Sequence, residues 1–389
     1  MINGSNKLIL IASDKLIIMK NKIVLSANSD WYIYNFRKNT ILELKSQGYD
    51  VFILCPYGEY CSKLESLGCS VSIIRMVRKS KNPFYEFQSI YDYIKIYSSI
   101  RPDVILNFTP KANIYSALAA LLYKAKVINN ISGLGSAFFS KGKISFPVKL
   151  LYKLSQKCSD HVFFQNNDDL DLFVKNKIIP INKTSRIPGS GVDLEKFSLQ
   201  TRNNDGDVNF ILVARMLWEK GVQYFVDVAR LVKKDYPNAN FFLLGAIDDG
   251  NPHGISQEQI NNWANEGIIV YLGVTDSVES VLREMDAMVL PSYYREGVPK
   301  SLLEAGALGK IIITSDNVGC RDTVDDGING YLCKSKDLES LYEAVLKTLK
   351  LSYDQRLKMG QNGRKKMEKE FSEKIVLDEY LKKIREMLC

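Results

Sequence analysis

The chain has 389 residues and a mass of 44.2 kDa, beyond the roughly 100–200 residues of one domain, so two domains are expected. Hydrophobic residues make up 46% and charged residues 25%, with 24 Gly and 11 Pro, a globular composition that excludes a disordered, collagenous or coiled-coil chain. Residues 1–195 hold 26 Lys+Arg against 15 Asp+Glu, a balance of +11, and residues 196–389 hold 26 against 29, a balance of −3, which together make the chain's +8. A basic half of this kind suits an anionic partner: nucleic acid, lipid or a phosphate-bearing substrate.

The first 18 residues carry no clear unit of the rhythm that follows, and Met19 is a plausible natural start; the alternative is an extra strand at Leu8 to Ala12. From Lys22 to Ser26 a short β-branched run predicts a strand, followed by an amphipathic helix over Tyr34 to Gln47, a Gly48 stop and a strand over Val51 to Leu54. The alternation continues with Cys61 to Leu67, Val71 to Ile74, a helix over Phe84 to Ser99, Val104 to Asn107, Ala112 to Tyr123 and Val127 to Asn130. Short continuous apolar strands alternating with helices predict a doubly wound parallel sheet. Turn chemistry around Pro188 to Asp193 and the polar stretch Gln200 to Asp207 mark a boundary. The rhythm then restarts with strands at Asn209 to Ala214, Asn240 to Leu244, Ala287 to Leu290 and Ile311 to Thr314, and helices at Val222 to Lys234, Ser277 to Glu284 and Lys300 to Leu308. The expected α/β architecture is two Rossmann-like domains, residues 1–195 and 196–372, facing across a cleft. A last amphipathic helix over Glu373 to Leu388, within residues 373–389, is expected to return to the N-terminal domain.

No apolar stretch reaches the roughly 18 residues of a membrane span, and the N-terminus lacks the features of a secretory signal. Seven Cys at irregular spacing without a C-x-x-C give neither a disulfide framework nor a zinc site, so reduced thiols are expected. Only His161 and His253 occur: the first precedes an apolar strand and reads as structural, the second lies in a Gly/Pro loop and reads as solvated. The carboxylates Asp168, Asp169 and Asp171 sit where helix capping suffices, and no Asp-x-Asp metal site or pair of hydrolytic acids is arguable.

Ligands of parallel α/β sheets bind beyond the carboxyl ends of the strands, so the residues after each apolar run are the informative ones. After Phe210 to Val213 come Arg215, Lys220 and Gly221 at the opening of a helix, two cations with backbone N–H groups that suit a diphosphate; the alternative is a solvated pair on a loop. After Ala287 to Leu290 comes Pro291 to Ala305. Gly297 there permits close backbone approach, Pro299 suits a first helical turn, and the N–H groups of Lys300, Ser301 and Leu302 form a second anion seat. Glu304, just over one turn into this helix, suits vicinal ribose hydroxyls or a dipole partner, and Glu296 on the preceding loop reaches a group beyond the phosphates. The stretch Arg75, Met76, Val77, Arg78, Lys79, Ser80, Lys81 places four cations beside Phe84 and Tyr85, a face for anionic headgroups or an acceptor diphosphate, or else a solvated loop.

Glu296 and Glu304, with seven residues between them within Pro-Ser-x(3)-Glu-Gly-x-Pro-x-Ser-x-Leu-Glu-Ala, resemble the signature of the retaining, metal-independent GT-B glycosyltransferases. Val213-Ala214-Arg215, Glu219-Lys220-Gly221, Tyr271-Leu272-Gly273 and Gly327-x-x-Gly330-Tyr331-Leu332 fall at the family's other places. The resemblance implies a hexosyltransferase without a metal or other cofactor. It assigns the donor diphosphate to Arg215 and Lys220, with Gly297, Val298, Pro299, Lys300, Ser301 and Leu302 around the donor, and the ribose to Glu304. Glu296 falls beside the transferred sugar's reacting carbon, making Glu296, Arg215 and Lys220 the catalytic set, and Leu272, Gly273 and Val274 lie near the base. Tyr34-Asn35-Phe36-Arg37, Pro110-Lys111-Ala112-Asn113 and Gly133-Leu134-Gly135 are similar to a narrower set that builds bacterial surface glycans on undecaprenyl-diphosphate, N-acetylgalactosaminyltransferases among them. That set implies a UDP-sugar donor, an undecaprenyl-diphosphate-linked saccharide acceptor, an anionic membrane surface on the cytoplasmic side and no nucleic acid. Asn28, Lys111, Gly133, Gly135, Arg75, Arg78, Lys79 and Lys81 are the acceptor-side candidates. Two departures stand out: Ser26-Ala27-Asn28-Ser29 replaces paired glycines, and Ile131-Ser132-Gly133 carries no His. The alternatives are a UDP-sugar epimerase of similar architecture, disfavoured by two His, and a non-catalytic sugar-binding protein.

Overall fold

The computed structural model describes residues 6–12, 15–77, 82–134, 139–140, 143–144, 146–199, 206–248 and 250–389. The described chain divides into two units: residues within 1–132, 137–190 and 376–389 form the first, and those within 133–136 and 191–375 the second.

The first unit begins with strands β1 (Asn6–Ala12) and β2 (Lys15–Lys20), an antiparallel pair forming a sheet of its own. The segment expected to add at most one strand is therefore a hairpin, and neither strand joins the main sheet. That sheet contains β3 (Lys22–Ser26), β4 (Asp50–Cys55), β5 (Ser70–Ile73), β6 (Val104–Asn107), β7 (Lys126–Ile131), β10 (His161–Phe164) and β11 (Thr184–Arg186) in the parallel order β11-β10-β7-β6-β3-β4-β5. The short strands β8 (Phe139–Ser140) and β9 (Lys143–Ile144) pair separately. Helices α1 (Asp30–Ser46) and α2 (Cys61–Ser66) cover one face of the main sheet, where Leu44 and Leu64 join its core. Helices α3 (Pro83–Ile100) and α4 (Pro110–Ala120) cover the other, where Tyr93, Tyr97 and Ala117 are buried, and α5 (Phe146–Lys157) packs beside α4. Helix α6 (Asn167–Lys175) precedes β11. Helix α1 starts four residues before the expected Tyr34 because Ser29 caps it, its Oγ accepting from Tyr32 N at 3.0 Å.

The second unit contains β12 (Val208–Val213), β13 (Ala239–Leu244), β14 (Val270–Tyr271), β15 (Ala287–Leu290), β16 (Ile311–Ser315) and β17 (Gly330–Cys333) in the parallel order β14-β13-β12-β15-β16-β17. Helices α7 (Val222–Val232), α8 (Gln257–Asn265), α9 (Val278–Arg283), α10 (Lys300–Ala307), α11 (Leu338–Leu349) and α12 (Tyr353–Glu370) surround a core in which Phe210, Leu212, Phe241, Val289 and Ile313 are inaccessible. The polar α12 is held by close approach: a Cβ on Gly360 would lie 1.9 Å from Gly309 O, so only glycine lets the helix reach that loop. The last helix, α13 (Glu373–Leu388), runs into the first unit, where fully buried Tyr380 donates to Asn130 Oδ1 at 2.6 Å and meets Phe108 and Phe163 edge-on.

The strand orders matter more for function than the element count. In each sheet the chain winds outward from one central strand and then returns to wind the other way. The reversal falls between β3 and β6 in the first unit and between β12 and β15 in the second. At such a point two adjacent crossovers leave in opposite directions and open a crevice at the strands' carboxyl ends.

Candidate functional site

In the second unit the two loops flanking that crevice are the ones after β12 and β15, and they are bonded to one another. Glu219 O accepts from Tyr293 N at 2.9 Å, Tyr294 N at 3.1 Å and Ser292 Oγ at 3.2 Å. Gly221 ends the first loop at φ 77°, and a Cβ there would lie 2.2 Å from Pro291 O, so a side chain would force the loops apart. Asn317 Nδ2, after β16, donates to Ser292 O at 3.2 Å and Tyr294 O at 2.8 Å and fixes the second loop from its other side.

This frame brings Lys220 and Glu296 together. Lys220 Nζ donates to Glu296 Oε1 and sits 5.2 Å from the centre of the Tyr294 ring, while Ser292 Oγ donates to the same Glu296 oxygen at 2.9 Å. The two charged side chains are 15% and 10% exposed, so the pair is shielded without being sealed off. The sequence assigns Lys220 to a diphosphate and Glu296 to a sugar as separate groups; the structure couples them. Burial and the nearby Glu296 carboxylate push the Cys320 thiol up to about 12, which keeps it neutral beneath the pair.

Arg215 lies apart from this pair: its half-exposed guanidinium donates to Asp248 Oδ2 at 3.2 Å. Glu304 lies one turn into α10, half-buried, and its carboxylate accepts no hydrogen bond from the described residues. Loss of hydration raises its pKa above the usual carboxylate range, against the fields of Lys300 and Lys196, and Glu279 adds to the rise. Lys196 is held 3.3 Å from Glu279. Helix α10 begins at Lys300, with Pro299 as its N-cap at φ −65° and ψ 117° and no side chain capping it. Pro299 thus precedes the first turn in which the sequence placed it, because its ψ is extended. Ser301, Leu302, Gly297 and Val298 surround this helix start. Beyond β14, Gly273 O accepts from Gly245 N at 2.7 Å, and Leu272 and Val274 are exposed on either side of it.

In the first unit Asn28 and Lys111 follow β3 and β6, the strands flanking that unit's reversal. Asn28 N donates to Thr109 Oγ1 at 2.9 Å, joining those two loops. Lys111 Nζ is occupied by Glu86 Oε1 at 2.6 Å and Val77 O at 2.7 Å. Arg75 is spent on Asp92 through Nε at 3.0 Å and Nη2 at 2.6 Å. Burial opposes ionisation of Asp92, and the hydrogen bonds from Arg75 outweigh it and lower its pKa. Gly133 has φ 97° and groups with the second unit. Gly135, Arg78, Lys79 and Lys81 lie outside the described residues. His161 is buried against Ser185 Oγ at 2.8 Å, and burial with nearby Lys383 depresses its pKa to about 4.

Three contributors carried no role at the level of sequence: Ser292, Asp248 and Asn317. Ser292 was legible as the residue after a strand end, four before Glu296. Asp248 and Asn317 come from loops whose proximity depends on strand order.

The geometry meets its family here. Residues 194–366 match the model described as glycosyl transferases group 1, and residues 22–166 the model described as glycosyl transferase 4-like. The chain is 32% identical over 368 residues to the N,N'-diacetylbacillosaminyl-diphospho-undecaprenol alpha-1,3-N-acetylgalactosaminyltransferase of Campylobacter jejuni, covering 90% of this chain and 94% of that one. The chain belongs to the GT-B glycosyltransferases. It is also 26% identical to the UDP-Gal:alpha-D-GlcNAc-diphosphoundecaprenol alpha-1,3-galactosyltransferase of Escherichia coli, over 67% of this chain and 70% of the relative. Among solved structures, the Rickettsia africae glycosyltransferase superposes with a TM-score of 0.77 at 19% identity, covering 95% of this chain and 99% of that one. Anabaena HepE in complex with UDP superposes with a TM-score of 0.74 at 14% identity, covering 94% and 99%. These structures share the fold of this glycosyltransferase.

Proposed function

We propose that this glycosyltransferase moves a sugar, an N-acetylhexosamine, from a UDP donor to a lipid-diphosphate-linked saccharide, with retention and without a metal ion, in the assembly of a bacterial surface glycan. The observation that carries the reading is the pairing of Lys220 with Glu296 at the second unit's chain reversal, on the loops that carry Arg215 and lead into α10. The names of the Campylobacter jejuni and Escherichia coli relatives support the lipid-diphosphate acceptor.

Two cations on one loop and the N–H groups of a helix start suit a diphosphate that gains charge as it leaves. In the proposed reaction the bond from the anomeric carbon to the donor phosphate breaks. The acceptor hydroxyl bonds to that carbon on the same face, and its proton passes to the departing diphosphate. No protein nucleophile is needed; Lys220 exchanges its Glu296 partner for the phosphate, and the released carboxylate faces the sugar as its ring gains positive charge. The Glu304 carboxylate, which accepts no hydrogen bond from the described residues, accepts from the ribose hydroxyls. Work at the inner face of the plasma membrane follows from a lipid-linked acceptor, and no helix among the described residues is long and apolar enough to cross a membrane.

The test is a panel of UDP-sugars offered with a synthetic polyprenyl-diphosphate saccharide, read by product mass and anomeric NMR. Turnover of a UDP-N-acetylhexosamine to an α-linked product supports the reading. An inverted product, or no transfer from any UDP-sugar, sinks it.

A further inference from the structure

Lys220 is the moving part of the reaction proposed above, yet little of it is free to move. It closes the 3-10 helix Trp218–Lys220, where Lys220 N donates to Leu217 O at 3.0 Å and the next N–H, of Gly221, to Trp218 O at 2.9 Å. With the backbone pinned, only rotation about the four-carbon stem carries the ammonium from one partner to another. The carboxylate cannot follow it. Glu296 Oε1 also accepts from Ser292 Oγ at 2.9 Å, and Ser292 O accepts from Asn317 Nδ2 at 3.2 Å and from Ser315 Oγ, so the acid is anchored through β15 and β16.

An ammonium that leaves an anchored carboxylate in a shielded site loses its charge partner before it gains the next. Among the described residues Lys220 Nζ has one other neighbour that favours a cation: the face of Tyr294, whose ring centre lies 5.2 Å away. The loop holds that ring through its backbone. Tyr294 N donates to Glu219 O at 3.1 Å and to Ser292 Oγ at 3.2 Å, and Tyr294 O accepts from Asn317 Nδ2 at 2.8 Å. Tyr293 serves a different lysine: its ring meets Tyr224 of α7 edge-on at 6.4 Å and carries Lys336 at 4.6 Å. An aromatic face attracts a cation across its whole area, whereas a hydrogen bond weakens steeply once its angle bends. An ammonium sliding over the half-buried Tyr294 ring therefore stays attracted along a path on which its bond to Glu296 breaks.

We infer that Tyr294 is a positioning residue for the transfer: its ring face keeps the Lys220 ammonium from closing permanently on Glu296 and guides it to the donor diphosphate. The inference rests on the exchange of Lys220 proposed above. It gives Tyr294 a role that acts through Lys220, without contact to the sugar.

The experiment measures UDP affinity by titration calorimetry, together with steady-state transfer, on the full chain and its variants. Tyr294→Phe keeps the ring face and should stay within about twofold of wild type in both. Tyr294→Leu keeps apolar bulk without the aromatic face; Lys220 should then settle on Glu296, weakening UDP about fivefold and lowering kcat about tenfold. On a Lys220→Met background the same leucine substitution should change UDP affinity by less than about twofold, because its effect passes through the ammonium. Replacing Tyr294 by 3,4,5-trifluorophenylalanine withdraws charge from the ring face with little change of shape, and it should reproduce the fivefold loss even if the leucine variant does not fold. Equal losses with and without Lys220 overturn the inference, since the ring would then act on the nucleotide or the loop directly. A trifluorinated ring with wild-type UDP affinity overturns it too, as does a Lys336→Gln variant that loses as much affinity as Tyr294→Leu, which would trace the effect to loop stability. UDP binding with this dependence on Tyr294, but without transfer from any UDP-sugar, leaves the ring's role standing and removes the proposed function. Transfer by a Tyr294→Leu chain indistinguishable from wild type does the reverse.

Discussion

Replacing Glu296 by Gln separates two quantities that would fall together if the carboxylate bound the nucleotide. The substitution keeps an oxygen for Lys220 and Ser292 but removes the charge opposite an ammonium that is 15% exposed. A hydrogen bond between charged groups is worth about 1.5–3 kcal/mol and a neutral one about 0.5–1.5, so the folded unit should lose roughly 1–2 kcal/mol. For a unit of this size that is a fall of about 2–8 °C in Tm. With UDP present the diphosphate supplies the missing negative charge, so the Kd for UDP should stay within a few-fold of wild type or tighten, and UDP should recover more Tm in the variant than in the wild type. The carboxylate's favourable term belongs to the sugar carbon in the transition state, so kcat should drop about 100-fold, close to 2.7 kcal/mol. Titration calorimetry with UDP, thermal melts with and without UDP, and steady-state kinetics read the three terms separately. A large loss of UDP affinity with kcat retained would refute the reasoning: Glu296 would then be a nucleotide ligand, and the exchange of Lys220 between carboxylate and phosphate would not occur.

Glu304→Gln should act in the opposite sense, raising donor KM about tenfold with a smaller fall in kcat, because ribose hydroxyls do not change during the reaction. The raised pKa means the fold favours the neutral carboxyl, so the carboxylate's contribution to stability falls as pH rises from its unfolded value through the raised folded value. Glu304→Gln should therefore raise Tm slightly at neutral pH, and it should abolish the weakening of UDP binding that the wild type shows on acidification through that pKa; a lower Tm and an unaltered pH profile of UDP binding would contradict this. Activity should survive EDTA, since Arg215, Lys220 and the start of α10 meet the leaving charge; loss on chelation, restored by magnesium or manganese, would overturn the metal-independent scheme. A chain beginning at Met19 should fold and work, because β1 and β2 pair only with each other, and insolubility or inactivity of that truncation would show that the hairpin supports the first sheet.

The sequence by itself determined the α/β class and the places where chemistry sits. Strands such as Phe210 to Val213 and Ala287 to Leu290 are continuous apolar runs because both faces of a parallel sheet are covered, and a run of that kind stays legible without knowledge of its neighbours. Arg215, Lys220, Glu296 and Glu304 follow such runs, so their positions were visible from local order alone. Helix α12 was not: a helix that packs through Gly360 and Gly363 carries too few large apolar residues for its period to show. Tertiary structure alone decided which strand ends are neighbours. Residues 215–220 and 292–296 are more than seventy positions apart, and only the β12–β15 pairing makes one site of them. It also decided that Lys220 rests on Glu296, that Arg215 rests on Asp248, and that the Glu304 carboxylate has no hydrogen-bond donor among the described residues. A charge's partner depends on distance and burial, which are properties of the packed sheet; the order of residues along the chain names the charged groups but cannot pair them.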